Sequence, residues 1–285
     1  MVQNIVKLLG HFIFNKHIFS NIKQQAQLTR VLKPYYKANL LNKRASVIYL
    51  FSYLSGAFNT DKKLRILHYH YRYLKNALPP AQLETLFKQG ISCYQDGTTA
   101  DSYNILLAST GMLEFEGSLS LSLLVNGIKI AMLSFSIAPG AAFNLPDEQV
   151  TYIANLQHWG EHNDDIHKAT KHFGDIIPAT ILLKTIEALA AVLNISTCIG
   201  ISANNQLTAI LKNDHERFYS IYDQFWLNHG GELKNGDYLI PLPLTQKPIE
   251  QVKQTHRNRT LKKRERLKGI YEEACRNLFS VFHKR

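Results

Sequence analysis

The sequence predicts an α+β fold: a mixed, mainly antiparallel sheet flanked by helices, with a helical region before it and an amphipathic helix after it. Three observations lead there. Residues 118–123 read Ser118, Leu119, Ser120, Leu121, Ser122, Leu123, and a period of two places the leucines on one face of a strand. The pairs Asn126-Gly127 and Asn235-Gly236 favour the positive backbone angles of the type I′ turn, which joins antiparallel strands with the right twist. Between them, residues 178–193 are apolar on too many faces for a surface helix, so that helix must be buried against the sheet.

Along the chain, the first hundred residues read as helices, with candidates at residues 4–25, 44–58, 61–75 and 81–90; Pro79 and Pro80 punctuate the last two. The first candidate carries Ile5, Leu8, Leu9, Phe12, Phe19 and Ile22 opposite lysines, a pattern that suits either an anionic bilayer or the protein's own core. Tyr49, Phe51, Tyr53, Tyr69, Tyr71 and Tyr73 are either stacking platforms or rings that cover the core while their hydroxyls reach water. Residues 101–250 form the α/β core. It holds a hairpin (118–123 with 128–137), a strand at 151–157, helices at 166–173 and 178–193, a strand at 197–202 and a helix at 214–228. A second hairpin (232–234 with 238–240) follows, and Pro241 and Pro243 close it because proline cannot donate to a ladder. Pro178 suits a first helical turn and Asn194 a stop. In residues 251–285, Leu267, Ile270, Tyr271, Ala274, Leu278, Val281 and Phe282 recur every three or four positions, one docking face of a helix.

Charge divides the chain in the same way. Residues 1–60 contain eight Lys/Arg and no Asp or Glu, and residues 253–285 carry a net +8, whereas residues 101–252 carry −8 within a total of +11. Basic ends on an acidic centre suit an anionic partner: an acidic acyl carrier protein, a membrane surface or nucleic acid. Pairing of those ends with the chain's own acidic centre is the alternative, and the basic run 257–268 divides likewise between gripping phosphates and forming a solvated face. Uninterrupted apolar stretches long enough to span a bilayer are absent from the sequence. The N-terminal residues lack a clean signal-peptide pattern. Cys93, Cys198 and Cys275 are scattered, as expected of reduced thiols in a cytoplasmic protein, with peripheral attachment to the inner membrane as a variant.

Several segments together resemble the VirK/YbjX family of Gram-negative bacteria. They are Asn155-Leu156-Gln157, residues 168–174 leading into Pro178, Tyr222-Asp223-Gln224-Phe225-Trp226 with Gly230-Gly231, and the basic final helix. The resemblance covers roughly residues 100–270. It implies a cytoplasmic protein associated with virulence, envelope remodelling and tolerance of cationic antimicrobial peptides, with no settled reaction. The pattern departs at Ile177, where the family carries an arginine, and at His158, where a glycine is expected. The order of elements is also similar to the GNAT acyltransferase fold, which implies an acyl-CoA or acyl carrier protein thioester as donor. In that fold a helix N-terminus after the central strand holds a pyrophosphate, using unpaired amides and the helix dipole. The resemblance puts Gln157, Trp159 and Gly160 in the donor-binding loop, with Lys168 and Lys171 one turn further on. Glu161, Asp164 and Asp165 oppose a pyrophosphate there, and Asp164 and Asp165 also read as ordinary N-terminal helix caps.

Acyl transfer needs a base for the nucleophile and an acid for the leaving thiolate. Tyr222 and Asp223 stand where GNAT-like enzymes supply a tyrosine acid, and His215 or Glu116 is the candidate base. Tyr219, Tyr222, Phe225 and Trp226 equally suit burial on one helical face. Two rivals remain. His158, Glu161 and His162 spell the inverted zinc-protease pattern, which needs both histidines on a regular helix. A non-enzymatic reading uses the basic ends to bind RNA or a membrane surface, with the core as scaffold.

Overall fold

The computed structural model describes residues 22–283; the amphipathic pattern read in residues 4–21 lies outside them. Helix α1 (Ile22–Lys37) buries Leu28, Leu32 and Tyr35, three positions at helical spacing. The helix expected over residues 44–58 is replaced by two single turns, Lys43–Ser46 and Ile48–Leu50, and then irregular chain. Val47, Ser52, Ser55 and Gly56 are weak helix formers. The backbone beyond them bonds elsewhere, Leu54 N–H to Phe115 O (2.7 Å) and Gly56 N–H to Asn205 O (2.9 Å).

Helices α2 (Thr60–Ala77) and α3 (Pro80–Lys88) follow as read. Next come β1 (Ile91–Gly97) and β2 (Ser102–Ser109), strands that the sequence reading leaves out; β1 lies in the stretch it treats as helical. The first hairpin is β3 (Leu119–Val125) and β4 (Ile128–Pro139), with Asn126 at φ 51° and Gly127 at φ 81° in the turn. Strand β5 (Gln149–His158), helix α4 (Asn163–His172), helix α5 (Pro178–Val192) and strand β6 (Thr197–Gly200) complete the centre. The single helix expected over residues 214–228 is two, α7 (His215–Ile221) and α8 (Asp223–Asn228), preceded by a short α6 (Leu207–Lys212). The second hairpin is β7 (Glu232–Lys234) and β8 (Asp237–Pro241), and α9 (Gln254–Phe282) ends the described chain.

The eight strands form one mixed sheet in the order β1-β2-β3-β4-β5-β6-β8-β7. Every pairing is antiparallel except β5 with β6, which is parallel. Every residue from Leu119 to Leu123 is buried, serines included, so both faces of the sheet are covered. Tyr53 meets the serine face, its hydroxyl 3.0 Å from Ser118 Oγ. Helix α2 packs on β4, and α5 packs on β3 and β4 with α9 lying along it. Ile270, Ala274, Leu278 and Phe282 are the buried stripe of α9. No helix among the described residues is long and apolar enough to cross a membrane.

Candidate functional site

The sheet opens at its one parallel pair. Strand β5 follows β4 from Gln149 opposite Pro139 to His158 opposite Ala131, with one extra residue, Ala154, between Ile153 and Asn155. Such a bulge bends a strand and sharpens its twist. On its other side β5 keeps company with β6 only through Thr151, Tyr152 and Ile153, and Ile201 N–H adds a last bond to Ile153 O (3.0 Å). Among the described residues, β5 has no strand partner on that side beyond the bulge. Backbone groups left there need other partners, and Tyr222 supplies one: Leu156 N–H donates to its hydroxyl (3.1 Å). The hydroxyl proton faces Asn155 Oδ1 (2.7 Å) and Leu156 O (3.2 Å). Tyr222 is the joint between α7 and α8, where the expected single helix divides.

Asn155 carries the connection to the candidate base. Its Nδ2 donates to Glu116 Oε2 (2.6 Å), while Gln206 Nε2 (3.1 Å) and Thr208 Oγ1 (3.0 Å) donate to Glu116 Oε1. Glu116 ends a short turn, Gly111–Glu116, and Gly117 fixes where it sits. At φ 132° that glycine lies on the backbone of Phe135, whose N would be 2.7 Å from any added Cβ. The carboxylate has neutral donors only and forms no ion pair among the described residues. Burial pushes its pKa up, and the hydrogen bonds from Thr208 and Gln206 oppose that. A half-buried carboxylate with a raised pKa is a better proton acceptor than one in water. Burial also pushes the Tyr222 phenol up, against the Leu156 bond, and the Glu116 charge adds to the rise; Tyr222 therefore keeps its proton.

The remaining candidates separate into two groups. Asp223 is buried and already engaged, accepting from Ala203 N–H (2.8 Å) and Tyr238 OH (3.0 Å). His215 is exposed at the start of α7, with no hydrogen bond to Glu116 or Tyr222. Gln157 and Trp159 lie at the free end of β5, next to the Leu156 backbone that Tyr222 holds; Gly160 opens the turn Gly160–His162 that leads into α4. Lys168 and Lys171 are exposed on α4, and Lys168 pairs with Asp165 (3.5 Å). Asp164 and Asp165 are not the caps expected: they fall inside the first turn, after His162 at the cap position. His158 ends a strand and His162 lies in the turn, so the two histidines do not share the regular helix that the zinc pattern needs. Among the described residues no group of three or more His, Cys, Asp or Glu could hold a metal ion.

A family model described as a protein of unknown function, DUF535, matches residues 1–274. The chain belongs to this family. The VirK/YbjX resemblance falls within it. No curated protein and no solved structure matches the chain.

In this DUF535 chain Glu116 and Tyr222 are recognisable from sequence by their chemistry, whereas the groups that join them are not. Asn155 was legible as a polar residue within the apolar run from Val150 to Leu156, because a buried amide needs partners. Gln206 and Thr208 left no such mark. Gln206 is the side-chain cap of α6, accepting from Ala209 N–H (2.7 Å) through Oε1 while its Nε2 reaches Glu116.

Proposed function

We propose that this DUF535 chain transfers an acyl group from a thioester donor to an amine or hydroxyl where β5 and β6 part. The observation that carries this reading is Glu116, a half-buried carboxylate without a cation, joined through Asn155 to Tyr222 beside a strand edge that lacks a strand partner. An antiparallel meander running into a parallel neighbour, followed by a hairpin whose second strand inserts next to it, is the strand order expected of a GNAT-like core. Fold likeness alone does not give a reaction, so the proposal rests on the residues.

Glu116 takes the proton from the incoming amine or hydroxyl as that atom attacks the thioester carbonyl. The C–S bond then breaks, and the leaving thiolate takes back from Glu116 the proton it accepted, while Tyr222 keeps its own proton and holds Asn155 and the Leu156 backbone in place. The donor, acyl-CoA or an acyl carrier protein thioester, runs along the free end of β5 past Gln157, Trp159 and Gly160, with Lys168 and Lys171 facing its phosphates. An acidic carrier protein complements the basic ends of the chain. The VirK/YbjX resemblance directs the search for acceptors to envelope components at the cytoplasmic side of the inner membrane.

The polyanion-binding alternative draws less support, because much of the basic run on α9 is spent on the chain itself. Arg257 donates to Val252 O and Glu250 O, Arg259 pairs with Asp175 (2.9 Å), and Arg266 pairs with Asp96. Acetyl-, octanoyl- and palmitoyl-thioesters of CoA and of acyl carrier protein, offered with a mixture of amine and alcohol acceptors, test the reading through thiol release. Glu116→Gln is expected to lower the rate by roughly a hundredfold or more with unchanged circular dichroism, and His215→Ala to leave it in place. A protein that neither binds nor turns over any of these thioesters, yet shifts RNA at low salt, would reverse the assignment.

A further inference from the structure

A cavity of about 210 Å³ lies beside the β6–β8 pair. Lys62 of α2 enters it with its ammonium over two rings, 4.1 Å from the Phe58 centroid and 4.0 Å from that of Phe143. Its neighbours on α2 are spoken for: Arg65 pairs with Asp61 (2.9 Å) and Lys63 donates to Phe51 O (2.9 Å). Lys62 forms no ion pair among the described residues. The carboxylate that shares the cavity, Asp237, is occupied by neutral donors: Ser202 N–H and Asn205 Nδ2 on Oδ1, Tyr152 OH on Oδ2, each at 3.0 Å. Burial lowers the Lys62 pKa, partly offset by the charge of Asp237, and raises that of Asp237. A cation taken partly out of water without a counter-ion is costly unless something pairs with it. The ring faces and the charge of Asp237 favour its charged form, and with no direct ion pair among the described residues the ammonium has a position open to an anion.

We propose that this cavity binds a small monocarboxylate with a short apolar tail, the carboxylate on Lys62 and the tail against Phe143, Leu145 and Ile199. Its volume equals about seven waters at ~30 Å³ each, below the roughly 300 Å³ at which drug-sized pockets begin. A single charge fits because Asp237 stands in the wall, and because Lys234, the other lining cation, already pairs with Glu232 (3.3 Å). The site does not depend on the acyl-transfer reading of the β5–β6 opening.

Titration calorimetry on the whole chain at fixed ionic strength tests it with sodium butyrate, benzoate and succinate, and with butyramide as the uncharged counterpart of butyrate. Butyrate and benzoate are expected to saturate one site, succinate to bind more weakly, and butyramide not to bind. Lys62→Met should weaken butyrate at least ~tenfold, the scale of a lost charge-assisted bond. Asn144→Asp provides an independent arm: Asn144 is exposed in the cavity wall at φ 58°, a conformation Asp also tolerates, and the added negative charge should weaken butyrate several-fold. Glu116→Gln should leave butyrate affinity unchanged, which separates this site from the other. No saturation, equal binding of butyramide, or indifference of butyrate to both variants would overturn the proposal.

Discussion

Replacing His70 by Asn should remove much of the protein's sensitivity to mild acid. The imidazole is fully buried on α2, its Nδ1 accepts from Ile137 N–H (3.1 Å), and its Nε2 has no hydrogen-bond partner among the described residues. Burial lowers its pKa from 6.5 to about 3. The unfolded chain therefore takes up a proton near pH 6.5 that the folded chain refuses until about pH 3, and between those values acid favours unfolding. At pH 4 the gap from 6.5 is 2.5 pH units, which at 1.36 kcal/mol per unit is a loss of about 3 kcal/mol relative to pH 8. In His70→Asn the amide oxygen replaces Nδ1 as acceptor for Ile137 but does not titrate. The variant starts less stable, having lost ring packing, yet lacks this loss on acidification. Urea unfolding at pH 8, 6, 5 and 4 reads both proteins, and the other titrating groups cancel in the comparison. The parent should lose about 3 kcal/mol more than the variant between pH 8 and pH 4. Parallel stability curves would refute the claim that His70 is held neutral by burial.

Other outcomes follow from the same packing. A methyl group added in Gly200→Ala would stand 2.5 Å from the ring of Trp226, itself fully buried and donating to Ile201 O (2.8 Å); we expect a loss of about 1–3 kcal/mol in urea unfolding, the usual cost of overpacking. Dithionitrobenzoate should modify Cys275 slowly in the native protein and reach Cys93 and Cys198 only on unfolding. Both of those are buried, and burial raises both thiols, Cys93 to about 12. Native release of all three thiols at one rate would contradict that arrangement.

What could be read from the sequence follows from how local each signal is. Both Asn-Gly hairpins were legible because the turn residues and the alternation beside them sit within a few positions of one another. Helix α5 was legible because it is apolar on nearly every face between Pro178 and Asn194, and α9 from its apolar periodicity. Strand β2 alternates Tyr103, Ile105 and Leu107 inward, but Leu106 breaks the polar positions between them, and β1 interleaves Ser92 and Gln95 among apolar residues; neither gives a clean period of two. Residues 214–228 divide at Tyr222, whose contact with Leu156 lies far away in sequence and is encoded by no local periodicity. At the site, Glu116 and Tyr222 were named for their chemistry, whereas their meeting at Asn155 depends on the bulge at Ala154 and on the close seat of Gly117 over Phe135.

Residues 202–206 take hold of three carboxylates at once: Ser202 and Asn205 hold Asp237, Ala203 holds Asp223, and Gln206 holds Glu116. Asn205 and Gln206 share a peptide bond, so the partners of Asp237 and of Glu116 sit on neighbouring residues of one short segment. For anyone altering this protein, that makes loop length the sensitive variable. One residue inserted here would unseat all three anions together, while one inserted at the exposed Asn126-Gly127 turn would reach none of them. Tags, reporters and randomised libraries belong at the second position, and the first is best left untouched.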